Sequence, residues 1–211
     1  SPRPRLERLA LPVTTGYLWV MMILLGAIVL ETFMVYPNVF SDPPQSLELS
    51  MEFLAVRGPS DFFPPLGLLS WGLGAASLLL SARVRGARGW LLVSVLAIIA
   101  EGVVSMLYFW PRNEIMFVEG LTVHSPEYLQ QVAAEFEAFH GIPRMALNAV
   151  SAIGAFVGFC VLFGRRVAER GSRWSTPSAT STPASRWPGR WRPRISRAAA
   201  SRAAPVGSRT T

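Results

Sequence analysis

Residues 135–148, EFEAFHGIPRMALN, bring Glu137, His140, Arg144 and Asn148 together at spacings of three, four and four residues. On a continuous helix those intervals set a carboxylate, an imidazole, a guanidinium and an amide along one face. The chemistry such a stripe could do is proton transfer by the imidazole or carboxylate, with the guanidinium and amide donating to a developing oxyanion. Pro143 permits a kink that would divide the stripe. Glu31 and Glu101 add two carboxylates, each inside a long apolar stretch. Ionisable residues at membrane depth are expected to face a bundle interior and find a partner, and they often mark function. The alternative is a hydrogen-bonded carboxyl that only holds helices together.

Metal chemistry has one partial signature. Glu137-Ala138-Phe139-His140 is a Glu-x-x-His pair of the kind used by di-iron bundles, but such sites need two pairs, and His124, the other histidine, lies in no second one. A mononuclear site built from His140, Glu31 and Glu101 stays open, so the expected cofactor is either none or a single metal ion. The sequence has no Gly-rich phosphate loop and no Cys-x-x-Cys. Its one cysteine, Cys160, lies within an apolar stretch and reads as a small core residue.

The elements that must position these side chains are apolar blocks. Four of them, at about 17–36, 62–82, 89–110 and 145–163, each approach the roughly 20 residues that cross a hydrocarbon core as a helix. The first is too long for a signal-peptide core and carries Glu31, so it reads as a retained helix. The third reads as ending at Trp110-Pro111-Arg112-Asn113. Gly154 with Gly158, and Gly72 with Ala76, form small-xxx-small pairs that would let helices approach closely. The fold expected is all-α: a four-transmembrane-helix bundle (17–164) with partly helical outer loops, an N-terminal arm (1–16) and a disordered basic tail (165–211).

All 20 basic residues are arginine, and their placement orients the bundle. Arg3, Arg5 and Arg8 precede the first span, Arg83, Arg85 and Arg88 fill the second turn, and Arg165, Arg166 and Arg170 follow the fourth. The other two connections are acidic. The positive-inside rule then sets both termini in the cytoplasm of a bacterial-type cell and makes the protein multi-pass. In the first outer connection Asp42 is expected to cap a short helix with Pro43 at its first position; in the second, Ser125-Pro126-Glu127 opens an amphipathic helix carrying Leu129, Val132, Phe136 and Phe139.

From Gly171 onward the chain carries eight arginines and no acids, with Trp174, Trp187 and Trp191 interspersed. It lacks apolar periodicity and is expected to be disordered, in contact with anionic lipid headgroups. Nucleic acid is not the expected partner, because no recognition module accompanies the arginines. The partners expected are the bilayer, a lipophilic small molecule and another copy of the chain.

Over residues 15–165 the chain resembles the anthrone-oxygenase-like family of small four-helix membrane proteins. The resemblance rests on Tyr36-Pro37-Asn38, Pro111-Arg112-Asn113 and His140-x-x-x-Arg144. It implies an oxygenase-like membrane oxidoreductase that oxidises a polycyclic phenolic substrate with molecular oxygen and no evident nucleotide cofactor, and it carries over Asn113, His140 and Arg144. The candidate catalytic residues are then His140, Glu31, Glu101 and Arg144, with either His140 or Glu31 as the base. Asn113, Asn148, Trp110 and Asn38 are the candidate substrate contacts. The long acidic first outer loop and the arginine tail depart from the family pattern. The rival expectation is a non-catalytic membrane subunit or small-molecule binding protein.

Overall fold

The computed structural model describes residues 5–175, which form helices connected by short turns and contain no strand. Helix α1 (Arg5–Leu30) passes through a π-helical turn (Glu31–Val35) into α2 (Tyr36–Val39). The short α3 (Gln45–Phe53) leads to α4 (Pro59–Leu80), then α5 (Arg85–Val104). A second π turn (Ser105–Phe109), α6 (Trp110–Glu114), a third π turn (Ile115–Glu119) and α7 (Gly120–Val123) extend the α5 line. Helix α8 (Pro126–Phe139) joins α9 (Met145–Ser175) through a fourth π turn, His140–Arg144.

Four helical stretches are long and apolar enough to cross a membrane: Arg8–Val39, Pro59–Leu80, Arg85–Val123 and Met145–Ser172. Their faces follow the logic of a bilayer solvent. Large apolar side chains such as Trp19, Leu79 and Leu107 point outward, while Thr14, Ser70, Ser77, Ser94, Ser151 and Asn148 are buried. With no water to solvate it, a hydroxyl is best kept inside, where another helix can bond it.

Along α1 the buried residues Ala10, Thr14, Tyr17, Met21, Leu24 and Ile28, and Glu31 after them, follow alternating intervals of four and three, with Val20 buried beside that seam. In α5 the same intervals connect Ala87, Leu91, Ser94 and Ile98. This 3.5-residue spacing is that of a coiled-coil seam, which keeps one face turned to its neighbours over many turns. At mid-bundle the Tyr17 hydroxyl lies 2.7 Å from Ser94 Oγ, and Ser94 and Ser151 donate to each other's carbonyl oxygens at 2.6 and 2.8 Å. Three spans are tied together there by small polar groups.

Gly154 and Gly158 allow α9 to close on α5: a Cβ on Gly154 would stand 2.8 Å from the Trp90 carbonyl oxygen, and one on Gly158 2.8 Å from Leu91 Cγ. The other expected pair is corrected. Gly72 faces open space, and it is Gly74, two residues on and on the opposite side of the helix, whose added Cβ would meet Val95 and Tyr17 at 3.0 and 3.1 Å.

Other boundaries also differ from expectation. Residues 5–16 are not a separate arm, because the first helix begins at Arg5, and residues 165–175 continue α9 rather than opening a tail. The expected disorder and lipid contact beyond that point lie outside the described residues. Asp42 and Pro43 do not start α3, which begins at Gln45; a residue that precedes a proline is steered away from the helical region, and Pro43 precedes Pro44. Cys160 is exposed on the outward face of α9 rather than packed in the core. By contrast, Ser125 caps α8 as expected, its Oγ accepting from the Tyr128 N–H at 3.3 Å.

The third span does not stop at Pro111. Proline lacks the N–H that would close a helical turn, and its ring crowds the preceding turn. Here the preceding turn, Ser105–Phe109, is widened to π geometry and the helix runs on. Pro37 stands in the same relation to the turn Glu31–Val35, and Pro143 lies within His140–Arg144.

Beyond these turns a second core caps one end of the bundle. Val39, Leu47, Phe109, Met116, Leu129, Val132, Ala133 and Phe136 pack together there. Arg112 Nη2 bonds Glu135 Oε2 at 2.9 Å, and its guanidinium stacks 3.6 Å over the Tyr108 ring, which pins α6 to α8.

Candidate functional site: a buried carboxylate, imidazole and guanidinium cluster

Where the cap meets the bundle, three of the π turns lie side by side, and each delivers part of one polar cluster. The first carries Glu31 and Thr32, the second Ser105 and Phe109, and the fourth His140 and Arg144. Single widened turns inside α-helices concentrate at functional sites, because the inserted residue redirects side chains that a regular helix would place elsewhere.

Arg144 is the centre. Its Nε donates to Glu101 Oε1 at 2.8 Å, and Ser105 Oγ donates to the same oxygen at 3.0 Å. Its Nη1 lies 2.8 Å from His140 Nε2 and 3.7 Å from Glu31 Oε2. A guanidinium can only donate, so His140 Nε2 must accept and the ring proton must sit on Nδ1. That assignment agrees with Thr32, whose hydroxyl donates to the Ile28 carbonyl at 2.7 Å and leaves its oxygen facing His140 Nδ1 at 3.4 Å.

Glu31 Oε2 also lies 3.7 Å from His140 Nε2, and it is a buried oxygen with no hydrogen-bond partner. Both carboxylates and the guanidinium are nearly closed off, with side-chain exposures of 10% for Glu31, 12% for Glu101 and 10% for Arg144. Aromatic rings complete the enclosure. Tyr36 meets the His140 ring edge-on with centroids 4.3 Å apart, Phe136 stacks on it at 5.5 Å, and Phe109 approaches at 5.6 Å. Phe63 of α4 lies 5.0 Å from the Arg144 guanidinium carbon. His140 precedes the fourth span. Burial, chiefly, pushes its imidazole below its ordinary pKa, and the Arg144 charge acts the same way against the opposing pull of Glu31 and Glu101.

The structure therefore brings together Glu31, Glu101, His140 and Arg144. Asn148 joins one turn further along, donating to the Arg144 carbonyl at 3.2 Å with its Oδ1 buried and unpartnered. Glu137 leaves the stripe and is exposed on α8, because the extra residue of the His140–Arg144 turn shifts the register between it and Arg144. The remaining candidates lie outside the cluster. Asn38 is exposed and folds back onto the Met34 carbonyl, Trp110 is half-exposed, and Asn113 is partly buried on α6 without a hydrogen bond to any cluster member.

A metal centre from His140, Glu31 and Glu101 does not fit this arrangement, and the described residues contain no group of three or more such side chains disposed to hold an ion. The cation among these donors is Arg144 itself, which takes up both Glu101 Oε1 and the one ring nitrogen of His140 free to ligate.

Thr32, Ser105 and the ring wall were not apparent as site residues. Ser105 had a signal, since it follows Glu101 by four residues and so shares its face. No family model, curated protein or solved structure matches the chain.

Proposed function

We propose that the chain is a membrane oxidoreductase of the oxygenase-like kind, with both termini cytoplasmic, acting on a small lipophilic phenolic substrate whose acidic C–H is conjugated with a carbonyl. The single observation that carries this reading is Glu31 Oε2: a buried, unpartnered carboxylate oxygen 3.7 Å from both a guanidinium nitrogen and an imidazole nitrogen. Between the two bases expected from the sequence, the geometry favours Glu31. The acceptor nitrogen of His140 already receives the Arg144 Nη1 proton.

The charge balance points the same way. Two carboxyl groups face one permanent cation: Glu101 holds the close contact to Arg144, at 2.8 Å, and Glu31, 3.7 Å away and without a hydrogen bond at Oε2, is the carboxylate left to take a substrate proton. In this reading Glu31 takes the proton and Arg144, held in place by Glu101 and Ser105, stabilises the enolate oxygen. Molecular oxygen then accepts electrons from the anion and bonds to the carbon, and the returned proton gives a hydroperoxide. Loss of water leaves a carbonyl, so a CH₂ group and O₂ become C=O and H₂O.

The test is oxygen uptake by the purified full chain with an anthrone-type substrate, with the quinone product measured alongside. Glu31→Gln is expected to abolish turnover while leaving the protein folded, and His140→Gln to reduce it. Unchanged turnover in Glu31→Gln defeats the assignment.

A second reading is favoured by the ring packing. The His140 imidazole is edged or stacked by Tyr36, Phe136 and Phe109, as a structural lock would be. In that case the cluster fastens the cap of a non-catalytic membrane subunit or binding protein, and the purified chain copurifies with a partner and consumes no oxygen with any phenolic substrate.

A further inference from the structure

The opposite end of the bundle carries a feature unrelated to the carboxylate cluster. A cleft of ≈ 40 Å³ opens between α1, the turn joining α4 to α5, and α9. Its floor is apolar, formed by Leu11, Leu80 and Leu162, and its rim carries Arg83, Arg165 and Arg166, with no acidic side chain among the described residues of the lining. Arg165 reaches Glu169 at 3.4 Å on the exposed side, whereas Arg166 has no carboxylate partner among the described residues.

We propose that this cleft binds the phosphodiester of an anionic membrane lipid. The volume fits the chemistry, since about 10–15 Å³ of such space holds one water and the cleft therefore accommodates roughly three, about the bulk of one phosphate group. Arg166 offers its guanidinium fork to the phosphate oxygens, with the charges of Arg83 and Arg165 beside it. The surroundings select a lipid over free phosphate. Leu9, Leu79, Phe163 and Val167 are exposed around this end, at 49%, 75%, 51% and 53%, and offer acyl chains a surface continuous with the headgroup site. Basic pockets between transmembrane helices recognise such headgroups by this combination of a charged rim and a lipid-facing wall.

The experiment uses the purified full chain in nanodiscs of phosphatidylcholine with a minor share of phosphatidylglycerol. Native mass spectrometry after release into detergent reads the lipid retained. Phosphatidylglycerol is expected to be kept selectively, and the double variant Arg83→Gln/Arg166→Gln to weaken retention by roughly tenfold or more. Arg57→Gln, at the far end of α4, serves as the control and leaves retention unchanged. Inorganic phosphate is the competing probe. Failure of phosphate to displace the lipid supports the lipid as ligand, and displacement at low phosphate overturns it in favour of a soluble anion. If the glutamine pair does not fold, Arg166→Lys, which keeps the charge but loses the planar fork, is expected to fold and to retain less lipid. Equal retention by the wild type and the folded cleft variants, or an equal loss in Arg57→Gln, overturns the site.

Discussion

Arg144→Met is the most direct probe of the cluster's closure. The substitution removes two short hydrogen bonds, to Glu101 at 2.8 Å and His140 at 2.8 Å, and leaves two carboxylates of about one-tenth exposure without their cation. Breaking a buried pair from one side costs about 3–5 kcal/mol, because the remaining charge keeps its desolvation penalty and loses its compensation. Removing both partners is far milder, since apolar or neutral replacements of similar volume are often close to neutral. Arg144→Met/Glu101→Gln removes both members of the shorter pair but still leaves Glu31 without its cation, so it should cost clearly less than the sum of the two single variants, the double-mutant cycle returning a coupling of about 2–3 kcal/mol. The exposed pair Arg57–Asp61, 3.4 Å apart with Arg57 81% exposed, is the internal control and should couple by less than about 1 kcal/mol. Reversible unfolding in mixed micelles, followed by far-UV circular dichroism across a denaturing-detergent titration, gives all four corners of the cycle. A single-variant cost below about 1 kcal/mol, or a coupling no larger than that of the surface pair, would refute the reasoning, because the guanidinium would then not be the charge that the carboxylates depend on.

Two further outcomes follow from the same geometry. Gly154→Ala should destabilise the bundle by about 1–3 kcal/mol, because the new methyl meets the Trp90 carbonyl at 2.8 Å and Ser94 Cβ at 2.9 Å, while Gly72→Ala, with nothing within 4 Å, should be close to neutral; the same micelle titration measures both. The Glu135 carboxyl is held below its ordinary value by the hydrogen bond from Arg112 and then by that from Gln131, so its contribution is complete at neutral pH and fades as the pH falls through the lowered value; melting scans from neutral to acid pH should show that loss in the wild type and a smaller one in Arg112→Gln.

The membrane fold was legible because its determinants are local and additive. Block length sets the spans, and the small residues at Gly154 and Gly158 announce the α5–α9 approach. What failed was the choice among equivalent small residues. Gly72 and Gly74 are both in the span, and only the facing seam decides that Gly74 meets Tyr17. Cys160 failed in the same way, since an apolar context in a membrane helix does not separate the lipid face from the interior. In a soluble helix a polar outer face would have made that distinction; here both faces are apolar, and the information sits in buried hydroxyls such as Ser94 and Ser151.

The site was half legible for a reason rooted in proline. Glu31, Glu101, His140 and Arg144 stand out by charge in apolar surroundings, but their convergence depends on widened turns that helical periodicity does not encode. Read with an ideal period, Pro37 and Pro111 look like stops and Pro143 like a kink. In the fold each is absorbed by a π turn, and the three turns fall at one level of the bundle, where they carry Glu31, Ser105 and the His140–Arg144 pair. The added residue explains both what joins the cluster and what leaves it: Arg144 turns inward onto Glu101 while Glu137 swings out to the surface. Proline thus acts here as a register device. It makes the regular turn unfavourable, and the irregular one that replaces it aims polar side chains inward on three helices at once.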